Sequence, residues 1–426
     1  MKIFYLLIVY VVYVSSAGLN VEFSWSRIDY QWSKNQKYNS GSVEQDPSRI
    51  VFDGQTNAQD IINRDHQEII DYQYENNIPM GANVWQDKLF ISIARRRPGI
   101  PSTLNYIPLR TNKHKKNVPL KPYPNWKINN IYSKENFVSV YRTAIDACDR
   151  MWFVDTGILE YPGNRTKIKQ HQIVIINLNT DKVIHRYNLP DNVIESATVL
   201  ANLNIDASKK NCEDAFAYIP DLSGWGLIVY SLKQNKAWRV NHWYFLPDPQ
   251  AKNFLIAGYS FQFNDGIFSV QLSKEKPDGY RDMFFHAMAG TRIYKVSTKV
   301  LRNEALATRR VHDEGDFVEI GDKGPNFQTS TADIHKPTGI LFMALVNQNS
   351  VGCWNINKGI ETLSIIQRDD DQLIYPSDVR ISGDRLYVLT NTMPRFLNGQ
   401  LNYNDINFRV WSGDVKSAIR GTNCEI

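Results

Sequence analysis

A short apolar and aromatic run recurs six times along the chain, and it limits the possible folds more than any other feature. The copies are Leu89-Phe90-Ile91, Met151-Trp152-Phe153-Val154, Ala217-Tyr218-Ile219, Met283-Phe284-Phe285, Leu341-Phe342-Met343 and Leu386-Tyr387-Val388. Their first residues lie 62, 66, 66, 58 and 45 positions apart. Each is followed by a second strand-like stretch: Leu104–Leu109, Ile173–Leu178, Leu227–Leu232, Ile293–Val296, Val351–Ile356 and Phe408–Trp411. Such runs are rich in the aromatic and β-branched residues that suit a pleated, buried surface. Long amphipathic helical patterns are hard to find. Strand pairs repeating at a period near 60 without intervening helices exclude leucine-rich and ankyrin arrays. A radial array of four-stranded blades fits, because each blade buries both faces against its neighbours and leaves only short edges. The reading is all-β: a six-bladed β-propeller with a central channel over 78–426, with 18–77 as an N-terminal strap packed on its outside. Ordinary sandwich strands would need the spacing to be accidental.

Four of the six runs follow a small motif, Ile145-Asp146, Ile205-Asp206, Asp333-Ile334 or Asp378-Val379. It reads as strand, tight turn, strand, with a buried Asp capping the amides of the turn. The regions around Asn83 and Val270 lack it.

The N-terminus has the layout of a secretory leader: Lys2, an apolar run from Ile3 to Val14, then Ser15-Ser16-Ala17. The run is too short for the roughly 20 residues a membrane-spanning helix needs. Residues 1–17 are therefore expected to be a cleaved signal peptide and the mature protein to be secreted. An even count of cysteines agrees. Cys148, Cys212, Cys353 and Cys424 allow three pairings. Pairing neighbours, Cys148–Cys212 and Cys353–Cys424, closes loops of similar length and is preferred. Asn164-Arg165-Thr166 is the one glycosylation sequon and is expected on a surface loop.

A net charge of +5 is mild for this length. Arg95-Arg96-Arg97 and Lys113-His114-Lys115-Lys116 are the dense basic clusters, read here as solvated loops. Neither forms the broad basic stripe and recognisable module of a nucleic-acid binder. The expected partner is a small-molecule ligand, with no nucleic acid, no membrane and no cofactor, and a monomer rather than an oligomer.

At this point the motifs resemble a known family. Ile145-Asp-Ala-Cys-Asp-Arg-Met-Trp-Phe-Val-Asp-Thr-Gly157 is similar to a conserved block of the insect yellow and major royal jelly proteins. So are Arg97-Pro-Gly-Ile-Pro-Ser-Thr-Leu-Asn-Tyr106, Gly226-Leu-Ile-Val-Tyr230, Trp238-Arg-Val-Asn-His242 and Val296-Ser-Thr-Lys-Val-Leu-Arg-Asn303. Thr338-Gly-Ile-Leu-Phe342 with Cys353-Trp-Asn355 adds another block. Leu389-Thr-Asn-Thr-Met-Pro-Arg-Phe396 resembles the closing motif, with Thr390 and Thr392 in place of the usual Ser and Arg. The resemblance implies a six-bladed propeller, an extracellular setting and the two neighbour disulfides. For function it implies several outcomes: pigmentation proteins, some credited with dopachrome conversion; jelly proteins that carry sterols; and salivary proteins that sequester biogenic amines. Fold alone does not choose among them.

Familiar catalytic signatures are missing. Gly258-Tyr-Ser260 lacks the second Gly of a nucleophile elbow, and the eight histidines are scattered singly with no His-Glu-x-x-His. A metal-dependent propeller would need residues such as Asn83, Asn204, Asp206 and Asp378 to converge; turn capping and channel lining explain them more simply. No catalytic or metal-binding residue is assigned. The channel is the natural ligand site. Ser377, at the start of the last inner strand, and Asn391, in the closing motif, are expected to hydrogen-bond a ligand, with Met393 and Phe396 as apolar walls. Arg142, close to an inner strand, would bring positive charge into the tunnel and favour an acid such as a carboxylated indole. The expected function is binding of a small aromatic or apolar molecule, a biogenic amine, indole or catechol derivative, or sterol, in pigmentation or cuticle. A dopachrome-converting tautomerase-like enzyme and a nutritive or structural protein are the alternatives.

Overall fold

Six four-stranded antiparallel sheets follow one another along the chain. The computed structural model describes residues 18–32, 37–39 and 69–426. The expected leader, 1–17, lies outside them, as does much of the expected strap. All six recurrent runs are the second strands of blades, within Lys88–Ser92, Arg150–Asp155, Asn211–Asp221, Asp282–Ala287, Ile340–Leu345 and Arg385–Thr390. The six following stretches fall on the third strands, such as Gln172–Asn177 and Gly226–Ser231. These two strands are sandwiched between adjacent blades, so both of their faces are apolar. Trp152 shows the consequence: it is fully buried, paired with Ile175 and Ala144 on the flanking strands, and packed on Ala217, Ile219 and Tyr230 of the next blade.

The inner strands are Gly81–Trp85, Val140–Ile145, Asn204–Ser208, Ile267–Leu272, Thr329–His335 and Pro376–Ser382, in blades 1 to 6. They run in one direction around the axis, so their first residues mark an entry face and their last residues an exit face. Blade 6 is completed from the far end of the chain. Asn20–Trp25 pairs antiparallel with Phe408–Asp414, Asn20 facing Ser412 and Trp25 facing Phe408. Part of the segment expected as an outer strap is thus a strand of the ring itself. Phe23 and Trp25 are buried, and the Trp25 indole donates to Val118 O at 2.8 Å.

Both disulfides join neighbours in sequence, Cys148 to Cys212 and Cys353 to Cys424. The first links a turn of blade 2 to the second strand of blade 3; the second ties the C-terminus to the third strand of blade 5. The Asp motif divides into different roles. Asp146 caps its turn as expected, accepting from Cys148 N at 2.8 Å and Arg150 N at 3.0 Å, and it also takes the Trp152 indole at 2.8 Å. Asp206 instead pairs with Arg281 at 2.8 Å and Arg302 at 2.6 Å. Asp333 and Asp378 lie within inner strands and tie neighbouring blades, accepting from Ile381 N at 2.9 Å and Ala82 N at 3.0 Å. Among the described residues, no helix is long and apolar enough to cross a membrane.

The first basic cluster is not a solvated loop. Arg95 is buried, and its guanidinium makes five hydrogen bonds to the carbonyls of Ile100, Phe137, Val138, Pro101 and Asn129. It serves backbone groups of irregular segments that no ladder satisfies. Burial lowers its pKa to about 10. The second cluster, 113–116, is exposed as expected.

Candidate ligand site at the channel mouth

The inner strands deliver polar side chains to the axis, and these close the channel part of the way down. Arg142 donates to Ser377 O at 2.8 Å and Ala201 O at 3.2 Å, and lies 3.7 Å from Asp378. Arg380 lies 3.3 Å from Asp378 and donates to Asn202 Oδ1 at 2.9 Å. Asn202 in turn reaches Phe268 O at 3.3 Å and Ser269 Oγ at 3.2 Å. All four side chains are buried. Two guanidinium groups flank the Asp378 carboxylate, Arg380 also acts on Asp333, and burial makes the Arg142 charge costly, lowering its pKa.

On the exit side lies a cavity of about 280 Å³, lined among others by Asn83, Asp146, Asn204, Asp333 and Arg380. Its central Asn residues are already committed. Asn83 Nδ2 donates to Thr143 O at 3.1 Å and Asn204 Nδ2 to Val270 O at 2.9 Å, each bonding the adjacent blade. Among the described residues, no group of three or more His, Cys, Asp or Glu is arranged to hold a metal ion.

The entry side is different in character. Tyr141, Phe268 and Tyr375, from the tops of three inner strands, belong to one apolar cluster with Phe254, Met393 and Phe396. The Arg142 guanidinium lies 5.2 Å over the Phe268 ring. Tyr375 adopts a left-handed backbone, φ 52°, a strained choice for a bulky residue. A hairpin, Asn253–Ile256 with Tyr259–Gln262, leans across this rim from the entry of blade 4. Leu255 N donates to Asn347 of blade 5 at 2.9 Å, and Phe254 stacks on Phe261 at 5.6 Å.

Two carboxyl groups near this face are shifted toward neutrality. Burial pushes Asp265 up to about 6, against a smaller opposing pull from Arg96. Burial pushes Glu160 up to about 7, and its Oε1 is buried without a hydrogen-bond partner. Neither was singled out from the sequence. Asp265 sits in Asn264-Asp265-Gly266, which reads as an ordinary turn, and only the ring closure shows which side of the fold it faces.

The four residues expected to bind a ligand all lie on the entry side of blade 6. Asn391 is fully buried, and both ends of its carboxamide serve backbone: Nδ2 donates to Pro79 O at 2.8 Å and Oδ1 accepts from Met393 N at 3.2 Å. Ser377 is fully buried; its Oγ lies 3.4 Å from Leu389 O. Met393 and Phe396 sit on a short helix, Met393–Asn398, and pack into the entry cluster. Arg97 stacks on Phe396, 4.0 Å from the ring centroid, and donates to its carbonyl at 2.9 Å.

Six blades closed around a polar plug and tied by two disulfides place the chain among the six-bladed β-propellers. The chain belongs to the major royal jelly protein family, whose family model matches residues 138–424. It is 41% identical over 354 residues to the L-dopachrome tautomerase yellow-f of Drosophila melanogaster, covering 82% of both chains. It is 38% identical over 363 residues to Protein yellow of Drosophila yakuba, and equally to that of Drosophila melanogaster, covering 84% of this chain and 66% of each of those proteins.

Proposed function

We infer that this protein is secreted and binds a small, largely aromatic molecule at the entry mouth of its channel. The observation that carries this reading is the gathering of Tyr141, Phe268, Tyr375 and Phe396 in one apolar cluster on the entry side, above a polar plug that separates it from the exit cavity. Aromatic walls supply most of the binding free energy, and a few polar groups fix orientation. Met393 and Phe396 form the wall on blade 6, while Ser377 and Asn391 frame the rim behind them. Secretion is supported by the leader-like N-terminus and the two disulfides. A thermal-shift panel of catecholamines, indoleamines, dopachrome and sterols tests the reading, because a ligand of the native state alone raises its melting temperature. At least one aromatic compound is expected to do so. No shift with any of them, or a shift with sterols alone, would overturn it.

A second reading is dopachrome conversion, in keeping with the name of the yellow-f relative. The feature favouring it is Asp265, a carboxyl held at about 6, which suits a group that exchanges protons near neutral pH. Its signature is a dopachrome conversion rate proportional to protein concentration, lost on heating and in Asp265→Asn. Binding without turnover leaves the first reading in place.

A further inference from the structure

The exit cavity has rigid walls. Asn83, Asn204 and Asp333 stand on the inner strands of blades 1, 3 and 5. Each Oδ1 accepts from the next amide of its own strand: Val84 N at 2.9 Å, Ile205 N at 2.8 Å and Ile334 N at 2.9 Å. The other side-chain atom bonds the backbone of the following blade, at Thr143 O, Val270 O and Ile381 N. These walls are therefore set before any ligand arrives, which lowers the ordering cost of binding.

The charges of the lining cancel. Its charged residues are Asp146, Asp149, Lys209, Asp333 and Arg380. Asp146 is paired with Arg150 at 2.7 Å. Arg380 lies 3.3 Å from Asp378, which Arg142 also faces at 3.7 Å. Burial pushes the Asp333 carboxyl up, and Arg380, Lys336 and its two backbone bonds pull against that rise. Lys209 and Asp149, one of each sign, have no charged partner among the described residues. Outside the lining, Lys336 is offset by Glu213, which lies 3.9 Å from Arg150. No surplus of either sign is left for a charged ligand to neutralise.

Hydrogen-bonding capacity does remain. Arg380 spends Nε on Asp378 and Nη2 on Asn202, and Asp149 spends Oδ1 on the Trp85 indole at 2.8 Å. Arg380 Nη1, Asp149 Oδ2, the Ser382 hydroxyl and Lys209 Nζ have no partner among the described residues, and none is sealed in the interior. Between them lie apolar surfaces of Trp85, Ala144 and Ile381. The ligand this lining suits is uncharged, carries groups that both donate and accept, and keeps an apolar face. Hydroxyls on a ring meet all three conditions. A volume of about 280 Å³ is at the lower end of ligand pockets, which run from about 300 to 1,000 Å³, and admits one ring rather than a chain of them.

We propose that the exit cavity is a second binding site, for a single neutral sugar ring, with Arg380, Ser382, Asp149 and Lys209 bonding its hydroxyls. The site is independent of any ligand at the entry mouth.

Saturation-transfer NMR of the full-length protein with D-glucose, D-galactose and D-mannose tests this, followed by titration of the tightest of them beside its 2-amino and uronic-acid forms. At least one neutral hexose is expected to bind, about threefold or more tightly than either charged form. Ser382→Ala should weaken it about threefold, the loss of one neutral hydrogen bond, and Ser382→Phe, which fills the cavity, should abolish it. If none of the three hexoses binds, or if a charged form binds as tightly as the neutral one, the proposal is wrong. A folded Ser382→Phe protein that binds hexose as the wild type does would place the sugar elsewhere and overturn it as well. The wild-type comparison decides even where a variant fails to fold.

Discussion

Asp265 is the residue whose chemistry departs furthest from what its sequence neighbourhood suggests. Its folded-state pKa of about 6 lies above the ordinary carboxylate value because burial disfavours the charged form; the opposing Arg96 offsets only part of this, and the nearby Tyr375 is neutral at physiological pH. The sign follows. The native state binds the Asp265 proton more tightly than the unfolded chain, so stability is lost as pH rises from the ordinary carboxylate range through about 6. Asp265→Asn is therefore expected to raise the melting temperature at pH 7 and to give no gain at pH 4. A lower melting temperature at pH 7 would show that the ionised carboxylate is held by favourable contacts. Asn391 behaves in the opposite way. Its carboxamide serves Pro79 O and Met393 N, so Asn391→Ala leaves two buried backbone groups unpaired and should cost about 1–3 kcal/mol, seen as a lower denaturation midpoint without ligand. An unchanged midpoint would free Asn391 for a ligand role.

At the scale of elements, legibility followed burial. The second and third strands of each blade are covered on both faces, so their apolar runs are continuous and could be counted from the sequence. The inner strands could not. Ser377-Asp378-Val379-Arg380 alternates channel-facing polar groups with packing residues and resembles a loop when read alone. Outer strands such as Lys182–Asn188 are partly exposed and equally weak as signals. Asn20–Trp25 was hidden for another reason: its partner strand lies at the other end of the chain, and no periodicity reports pairing at that separation. The site was less legible than the fold. Arg95-Arg96-Arg97 reads as a solvated loop because sequence does not reveal that five carbonyls wait for Arg95. The closing strand yields its own prediction. Trp25→Ala removes a buried indole and its bond to Val118 O, and should cost about 3–5 kcal/mol, read as a shift in denaturation midpoint. A change within about 0.5 kcal/mol, the ordinary range for surface substitutions, would mean that this strand is not needed to close the ring.

For the whole molecule, the ring is held both at its rim and at its axis. Asn20–Trp25 closes blade 6, Cys148–Cys212 joins blades 2 and 3, and Cys353–Cys424 secures the C-terminus to blade 5. Reduction or replacement of the Cys353–Cys424 bridge should cost on the order of 2–5 kcal/mol, and a folded variant of unchanged stability would contradict that role. At the axis, the Arg142–Asp378–Arg380–Asn202 network links backbone or side chains of blades 1, 2, 3, 4 and 6. That network also separates a polar exit cavity from an aromatic entry mouth, giving the two faces different capacities. Whether the entry mouth holds the aromatic ligand is decided by a crystal structure of the protein grown with an aromatic compound that raises its melting temperature. The aromatic ring is expected against Phe268 and Tyr375, above Arg142; the same compound found instead in the exit cavity beside Asn83 and Asp333 would overturn the assignment.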